Sequence, residues 1–189
     1  DPYGFSFFER GGRGNIMEFL DDFQEHYART SGLGYIALPT GNHDTGPRIA
    51  VGRSQDELEV IYAFMLSMPV APFIYYGEEI GMRGVPGLPS KEGSYNRSEV
   101  RTPMQWDDSA NAGFSSAPPD QLYLPMEPDP ERPTVAAQDR DPSSLLNAVR
   151  RLTALRKAHP ALCAGGAFEV IHARPGELPL VYRRWLGEE

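Results

Sequence analysis

Cysteine, excess basic charge and long apolar runs are what this 189-residue chain has least of. A single cysteine, Cys163, excludes an intramolecular disulfide framework and a cysteine-based zinc site. With 18 Lys and Arg against 26 Asp and Glu, the net charge is −8, so the basic face that nucleic-acid phosphates require is lacking. The longest stretch without a charge, residues 60–77, is shorter than the about 20 residues of a membrane-spanning helix, and Pro69 and Pro72 interrupt it. No nucleic acid and no membrane is therefore expected as a partner. Asp1-Pro2-Tyr3-Gly4 carries neither the basic nor the apolar region of a secretory leader, and with the lone cysteine this favours a cytoplasmic setting. The histidines His26, His43, His159 and His172 lack metal-ligand spacing, and neither a nucleophile elbow nor a P-loop occurs. Neither a metal nor a cofactor is expected.

Glycine (19) and proline (18) are abundant, about a fifth of the chain together against roughly 12% on average, so long loops are expected to carry function. Between them, apolar periodicity marks the elements. Ile16, Leu20, Phe23 and Tyr27 form one stripe of a helix over residues 16–28, with Asn15 to cap it and Ser31-Gly32 to stop it. Tyr35-Ile36-Ala37-Leu38 reads as a short strand. Ser54 and Glu57 form a capping box for a second, buried helix over residues 57–68, which Pro69 ends. Phe73-Ile74-Tyr75-Tyr76 reads as a strand covered on both faces. Residues 77–138 have little periodicity, and a structureless segment that long is unusual unless functional. Asp141-Pro142 opens a third helix whose end carries Arg156 and Lys157, where the dipole favours cations. Residues 168–173 and 180–185 alternate like strands around Arg174-Pro175-Gly176-Glu177. Helix–strand–helix–strand–helix order implies parallel strands with crossover helices. A further strand is expected in residues 3–8, with the rest of the sheet outside this chain.

The loop Gly41-Asn42-His43-Asp44-Thr45-Gly46-Pro47-Arg48 follows the end of a strand, where barrels and open α/β sheets place their active sites. Its amide, imidazole, carboxylate and guanidinium groups suit a polyhydroxylated ligand, because a carboxylate accepts from adjacent hydroxyls while the cations donate to others. A capped turn, with Asp44 bonding local backbone, reads the same residues equally well. Glu78 and Glu79 end the next strand, but neighbours on a chain diverge, which favours a structural role. In Arg101-Thr102-Pro103-Met104-Gln105-Trp106-Asp107, the tryptophan could carry a sugar face but reads better as a loop anchor, and Arg101 stays open. Gly11-Gly12-Arg13-Gly14 lacks the dinucleotide pattern, and Asn96-Arg97-Ser98 is a glycosylation sequon.

Gly41-Asn42-His43-Asp44 after an apolar strand resembles the fourth characteristic region of the α-amylase superfamily, family 13 of the glycoside hydrolases. Pro72-Phe73-Ile74-Tyr75-Tyr76-Gly77-Glu78-Glu79-Ile80-Gly81-Met82 is similar to the exit of that family's eighth barrel strand. Arg101 through Asp107, Asn111-Ala112-Gly113-Phe114-Ser115, Ser144-Leu145-Leu146 and Leu155-Arg156-Lys157 resemble the stretches that follow in its α-glucosidase, oligo-1,6-glucosidase and trehalose synthase branch. The resemblance implies that Asp44 is the third of the family's catalytic carboxylates, the one that binds the hydroxyls of the sugar in the −1 subsite and stabilises an oxocarbenium-like transition state. It implies that His43, Asn42, Arg48 and Arg101 bind substrate, and that Glu79 is structural.

Retaining glycosidases also need a nucleophile and an acid/base carboxylate roughly 5 Å apart. In the family the nucleophile lies in a G-F-R-x-D-like motif, which this sequence lacks. The resemblance therefore implies the C-terminal portion of a TIM (β/α)8 barrel, about strands six to eight with their helices, over residues 1–162. Residues 163–189 would begin a C-terminal β-domain. A whole barrel takes about 250 residues. The expectation is part of a retaining glycoside hydrolase acting on α-glucosidic bonds of malto- or isomalto-oligosaccharides, inactive alone, its partners being the oligosaccharide and either itself or a missing N-terminal part. The alternatives are part of a trehalose synthase-type isomerase or transglycosylase and a non-catalytic carbohydrate-binding relative.

Overall fold

In chain order the elements are helix α1 (Ile16–Thr30), strand β1 (Ala37–Pro39), helix α2 (Gln55–Ser67), strand β2 (Ala71–Phe73), helix α3 (Val135–Asp139), helix α4 (Leu145–Ala158) and strands β3 (Ala167–His172) and β4 (Val181–Trp185). They come from a computed structural model that describes residues 15–44, 46–91, 93 and 97–188. The strand expected in residues 3–8, the glycine-rich loop at 11–14 and Asn96 of the sequon lie outside the described residues. The chain divides into two units: residues 15–38, 61–72 and 152–188 form one, residues 39–60 and 73–151 the other.

In the first unit, α1 starts where the sequence places it, because the Asn15 side chain accepts from the Met17 N–H at 3.1 Å. Its apolar stripe puts Leu20 and Phe23 in the core. Phe23 meets Phe168 edge to face at 5.8 Å, and Phe168 lies 5.5 Å from Tyr182. Phe64 meets Tyr182 edge to face at 6.4 Å and Phe19 at 5.6 Å, so rings from helices and hairpin share one cluster. The hairpin is antiparallel, pairing Ala167 with Trp185 and Val170 with Tyr182, and a bulge follows Val170. Arg156 is buried and donates to the carbonyls of Leu66 at 2.6 Å, Met68 at 3.1 Å and Val70 at 2.6 Å. It therefore caps the end of α2, the helix it does not belong to, in addition to standing near the end of its own.

At the start of α2, Ser54 and Glu57 form the expected reciprocal box. The Ser54 N–H donates to Glu57 Oε2 at 2.7 Å and the Glu57 N–H to Ser54 Oγ at 3.3 Å. Strands β1 and β2 pair with each other. The Ala71 N–H donates to the Ile36 carbonyl and the Thr40 N–H to the Phe73 carbonyl, an advance in step that marks a parallel pair. Pairing ends at Phe73, earlier than the apolar run suggests, because the Tyr75 N–H turns to Thr40 Oγ1 at 3.1 Å. Phe73 is 59% exposed, so among the described residues this strand is not covered on both faces as its apolar run implies.

The second unit has its core in Ile80, Met82, Met104 and Leu146, with Val135 packed against it. The described residues among 77–131 are mostly irregular, held by 3-10 turns at Glu78–Ile80, Ser98–Val100, Ala110–Gly113 and Pro119–Gln121. Gly77 turns with φ +80°, and a Cβ there would stand 2.1 Å from Met82 Sδ. Helix α4 begins at Leu145, later than Asp141-Pro142 suggests. Asp141 is used instead in a turn, where Oδ1 accepts from the Ser143 N–H at 2.8 Å and hydroxyl at 2.6 Å. No helix among the described residues is long and apolar enough to cross a membrane.

Candidate functional site

The loop after β1 is anchored by a buried acid. Glu78 is fully buried, and its Oε1 accepts from the Ile49 N–H at 3.2 Å while Thr40 bonds the same carboxyl group. Both ends of the loop are thereby tied to one side chain. Gly41 is what permits the approach: a Cβ there would lie 2.7 Å from Glu78 Oε1. Burial pushes the Glu78 carboxyl above the ordinary glutamate range, against the opposing hydrogen bonds from Thr40 and Ile49.

Held in this way, the loop presents Asp44. The Asp44 N–H donates to Asn42 Oδ1 at 2.7 Å, an Asx turn that fixes the residue's backbone. Its Oδ1 accepts from Arg97 Nη1 at 2.6 Å and from Arg101 Nη2 at 2.9 Å. Oδ2 faces His43 Nε2 at 3.4 Å. Arg101 Nε also donates to the His43 carbonyl at 2.8 Å, so this guanidinium grips loop and carboxylate together. Side-chain exposure is 37% for Asp44, 66% for His43, 23% for Arg97 and 20% for Arg101, a half-open group that solutes can reach. The Arg97 hydrogen bond, foremost, and the nearby His43 and Arg101 hold the Asp44 carboxyl below the ordinary aspartate range. Asp44 is thus an anion over the whole neutral and mildly acidic range. With both arginines on Oδ1, Oδ2 is the less engaged oxygen and keeps capacity to accept further hydrogen bonds.

The structure thus gathers Asn42, His43, Asp44 and Arg101 in one place. Arg48 is elsewhere: it is 1% exposed, its Nη1 donates to the Tyr76 carbonyl at 2.6 Å and its Nη2 to the Val100 carbonyl at 2.7 Å. Tyr75 and Tyr76 lie against its guanidinium at 4.8 and 4.6 Å. Arg97 is the participant that the sequence reading missed. It sits at the N-cap of the turn Ser98–Val100 and Arg101 at the C-cap, so a four-residue spacing around one turn aims both guanidiniums at one carboxylate. That spacing was the available signal, masked by reading the tripeptide as a sequon. Glu79, like Glu78, is pushed up by burial. Trp106 is tied through its backbone, donating to the Ala112 carbonyl and accepting from the Ala136 N–H, and the residue is 48% exposed. Among the described residues no group of three or more histidine, cysteine, aspartate or glutamate side chains is placed to hold a metal ion.

On an α/β scaffold, a strand-exit loop thus presents an ionised carboxylate among imidazole and guanidinium donors. Comparison with known proteins makes the class specific. The model of the alpha amylase catalytic domain matches residues 13–165, and the chain belongs to that family. It is 40% identical over 131 residues to the trehalose synthase/amylase TreS of Mycobacterium tuberculosis, covering 67% of this chain and 21% of that protein. It is 32% identical over 196 residues to the oligo-1,6-glucosidase of Parageobacillus thermoglucosidasius, covering 84% of this chain and 33% of that one. Among solved structures, the trehalulose synthase MutB of Pseudomonas mesoacidophila superposes with a TM-score of 0.69 at 26% identity, over 84% of this chain and 34% of MutB. The chain spans between a fifth and a third of the curated relatives named here, and its fold is part of an α-amylase-type barrel.

Proposed function

We propose that this chain supplies the −1 sugar site of a retaining enzyme acting on α-glucosidic bonds, with Asp44 as the carboxylate that stabilises the transition state. The observation that carries this reading is the pair of arginines on one oxygen of Asp44, at 2.6 and 2.9 Å, in a family member. They keep the carboxylate ionised while Oδ2 remains the oxygen for the sugar's hydroxyls. As positive charge develops at the anomeric carbon, a fixed anion nearby lowers the barrier without reorganising. His43 and Arg101 would donate to the same sugar, with Arg97 holding the anion. Asn42 fixes the Asp44 backbone beside them.

Asp44 alone does not suffice for the double displacement, which needs a nucleophile and an acid/base roughly 5 Å apart. The acids that follow β2, Glu78 and Glu79, are engaged in holding the loop or withdrawn by burial. The reading therefore takes residues 1–162 as the barrel's strands six to eight with their helices, and residues 163–189 as the start of a C-terminal β-domain. The substrates would be malto- or isomalto-oligosaccharides. A second reading, a glucosyl isomerase that keeps water from the intermediate, is favoured by the 40% identity to trehalose synthase/amylase TreS over two thirds of the chain.

The test is turnover of an aryl α-glucoside by the full reading frame carrying Asp44→Asn. A loss in kcat on the order of a thousandfold is expected, as for removal of a preorganised electrostatic partner. Unchanged kcat would remove Asp44 from the chemistry. Maltose assayed in parallel separates the two readings, since a hydrolase releases glucose and an isomerase releases trehalose.

A further inference from the structure

We propose that Arg48 is a positioning residue that sets the distance between Asp44 and the arginine pair Arg97 and Arg101. The inference rests on the sugar-site reading of Asp44 and extends it to a residue that touches no ligand. Three segments meet at its guanidinium. Arg48 itself closes the loop that begins at Gly41 and carries Asp44. Its Nη1 bond at 2.6 Å fixes the Tyr76 carbonyl at the exit of β2, and its Nη2 bond at 2.7 Å fixes the Val100 carbonyl, one residue before Arg101.

The two tyrosines complete the junction. Besides lying on the guanidinium, Tyr75 donates its hydroxyl to the same Val100 carbonyl at 3.2 Å, and Tyr76 donates to the Thr102 carbonyl at 2.7 Å. Residues 100 and 102, on either side of Arg101, are therefore pinned to a framework whose centre is Arg48. A guanidinium suits this task because its planar fork reaches two carbonyls at once and stacks on aromatic faces, which an ammonium group cannot do. At 1% exposure, Arg48 is not available to a sugar, and its burial is explained by this framework.

The experiment replaces Arg48 by lysine, keeping the charge while removing the fork. Carbon-13 NMR follows the titration of the Asp44 carboxyl in the 189-residue chain, and steady-state kinetics follow the full reading frame. The expected result is an upward move of the Asp44 midpoint toward the ordinary aspartate range, as Arg97 and Arg101 drift from it. With it comes a loss of about a hundredfold in kcat, the scale of an ångström-sized misplacement. General loosening of the fold would lower the melting temperature without moving that midpoint. Should Arg48→Lys fail to fold, Tyr76→Phe removes only the hydroxyl to Thr102 and is expected to move the midpoint the same way, by less. An unmoved Asp44 midpoint in the folded variant overturns the proposal. A moved midpoint with turnover insensitive to both Arg48→Lys and Asp44→Asn supports the positioning role and removes the sugar-site reading instead.

Discussion

Two carboxyl groups less than forty residues apart are driven in opposite directions by their surroundings. Asp44 is held low by guanidiniums, and Glu78 is held high by burial. In the proposed reading the first faces a developing cation; the second is an internal strut whose charged form burial disfavours. Glu78 also has a thermodynamic signature. Its folded-state proton affinity exceeds that of the unfolded chain, so its favourable contribution is full below the ordinary glutamate range and is lost as pH rises through that range toward the raised folded value. Glu78→Gln keeps an acceptor for the Ile49 N–H and carries no charge to bury. The variant is therefore expected to melt above the parent at neutral pH, with the gap closing as the pH falls below about 4, where the unfolded glutamate is protonated. Thermal unfolding followed by circular dichroism across that range checks it. A deficit of the variant that is equal at both ends would show the charged form to be the one the fold prefers.

At the scale of elements, the long-range arginines decide how helices end and where strands go. The dipole argument places Arg156 at the end of α4, yet the side chain crosses to three carbonyls in and just beyond the last turn of α2. Arg156→Met keeps most of the apolar stem and takes this donor from the Leu66 and Val70 carbonyls, while the Met68 carbonyl keeps the Val70 N–H at 2.8 Å. A loss on the order of 3 kcal/mol is expected, measured by urea unfolding, since each buried acceptor left unpaired costs about 1–3 kcal/mol and water or relaxation recovers part of the total. A change under about 0.5 kcal/mol, the range of ordinary surface substitutions, would mean that the carbonyls are satisfied without it. Lys157, next in sequence, is the residue to substitute as the control.

For the molecule as a whole, what could be read from sequence was what depends on near neighbours. The Asn15 cap, the Ser54–Glu57 box and the apolar stripe of α1 are set within one or two turns, and their atoms stand where those patterns require. The start of α4 was less legible, because Asp141 can satisfy a turn as well as a helix and only Ser143 decides between them. Strand β2 ends where Tyr75 turns toward Thr40, a partner 35 residues away that no local pattern names. The same distance problem governs the candidate site. Asn42, His43 and Asp44 announce themselves as a cluster, whereas Arg97 enters across 53 residues and Arg48 is taken out of the surface by carbonyls 28 and 52 residues away. Function in this chain is thus assembled from segments that each look ordinary, around one loop that does not.

In the proposed function Asp44 assists a bond cleavage whose nucleophile and acid/base lie outside these 189 residues. Its most direct test is turnover of an activated aryl α-glucoside by the purified 189-residue chain, beside the chain carrying Asp44→Asn. No turnover above buffer is expected in either. Turnover by the parent that disappears in Asp44→Asn would contradict it and would assign the missing chemistry to carboxylates described here as structural, Glu78 and Glu79 first.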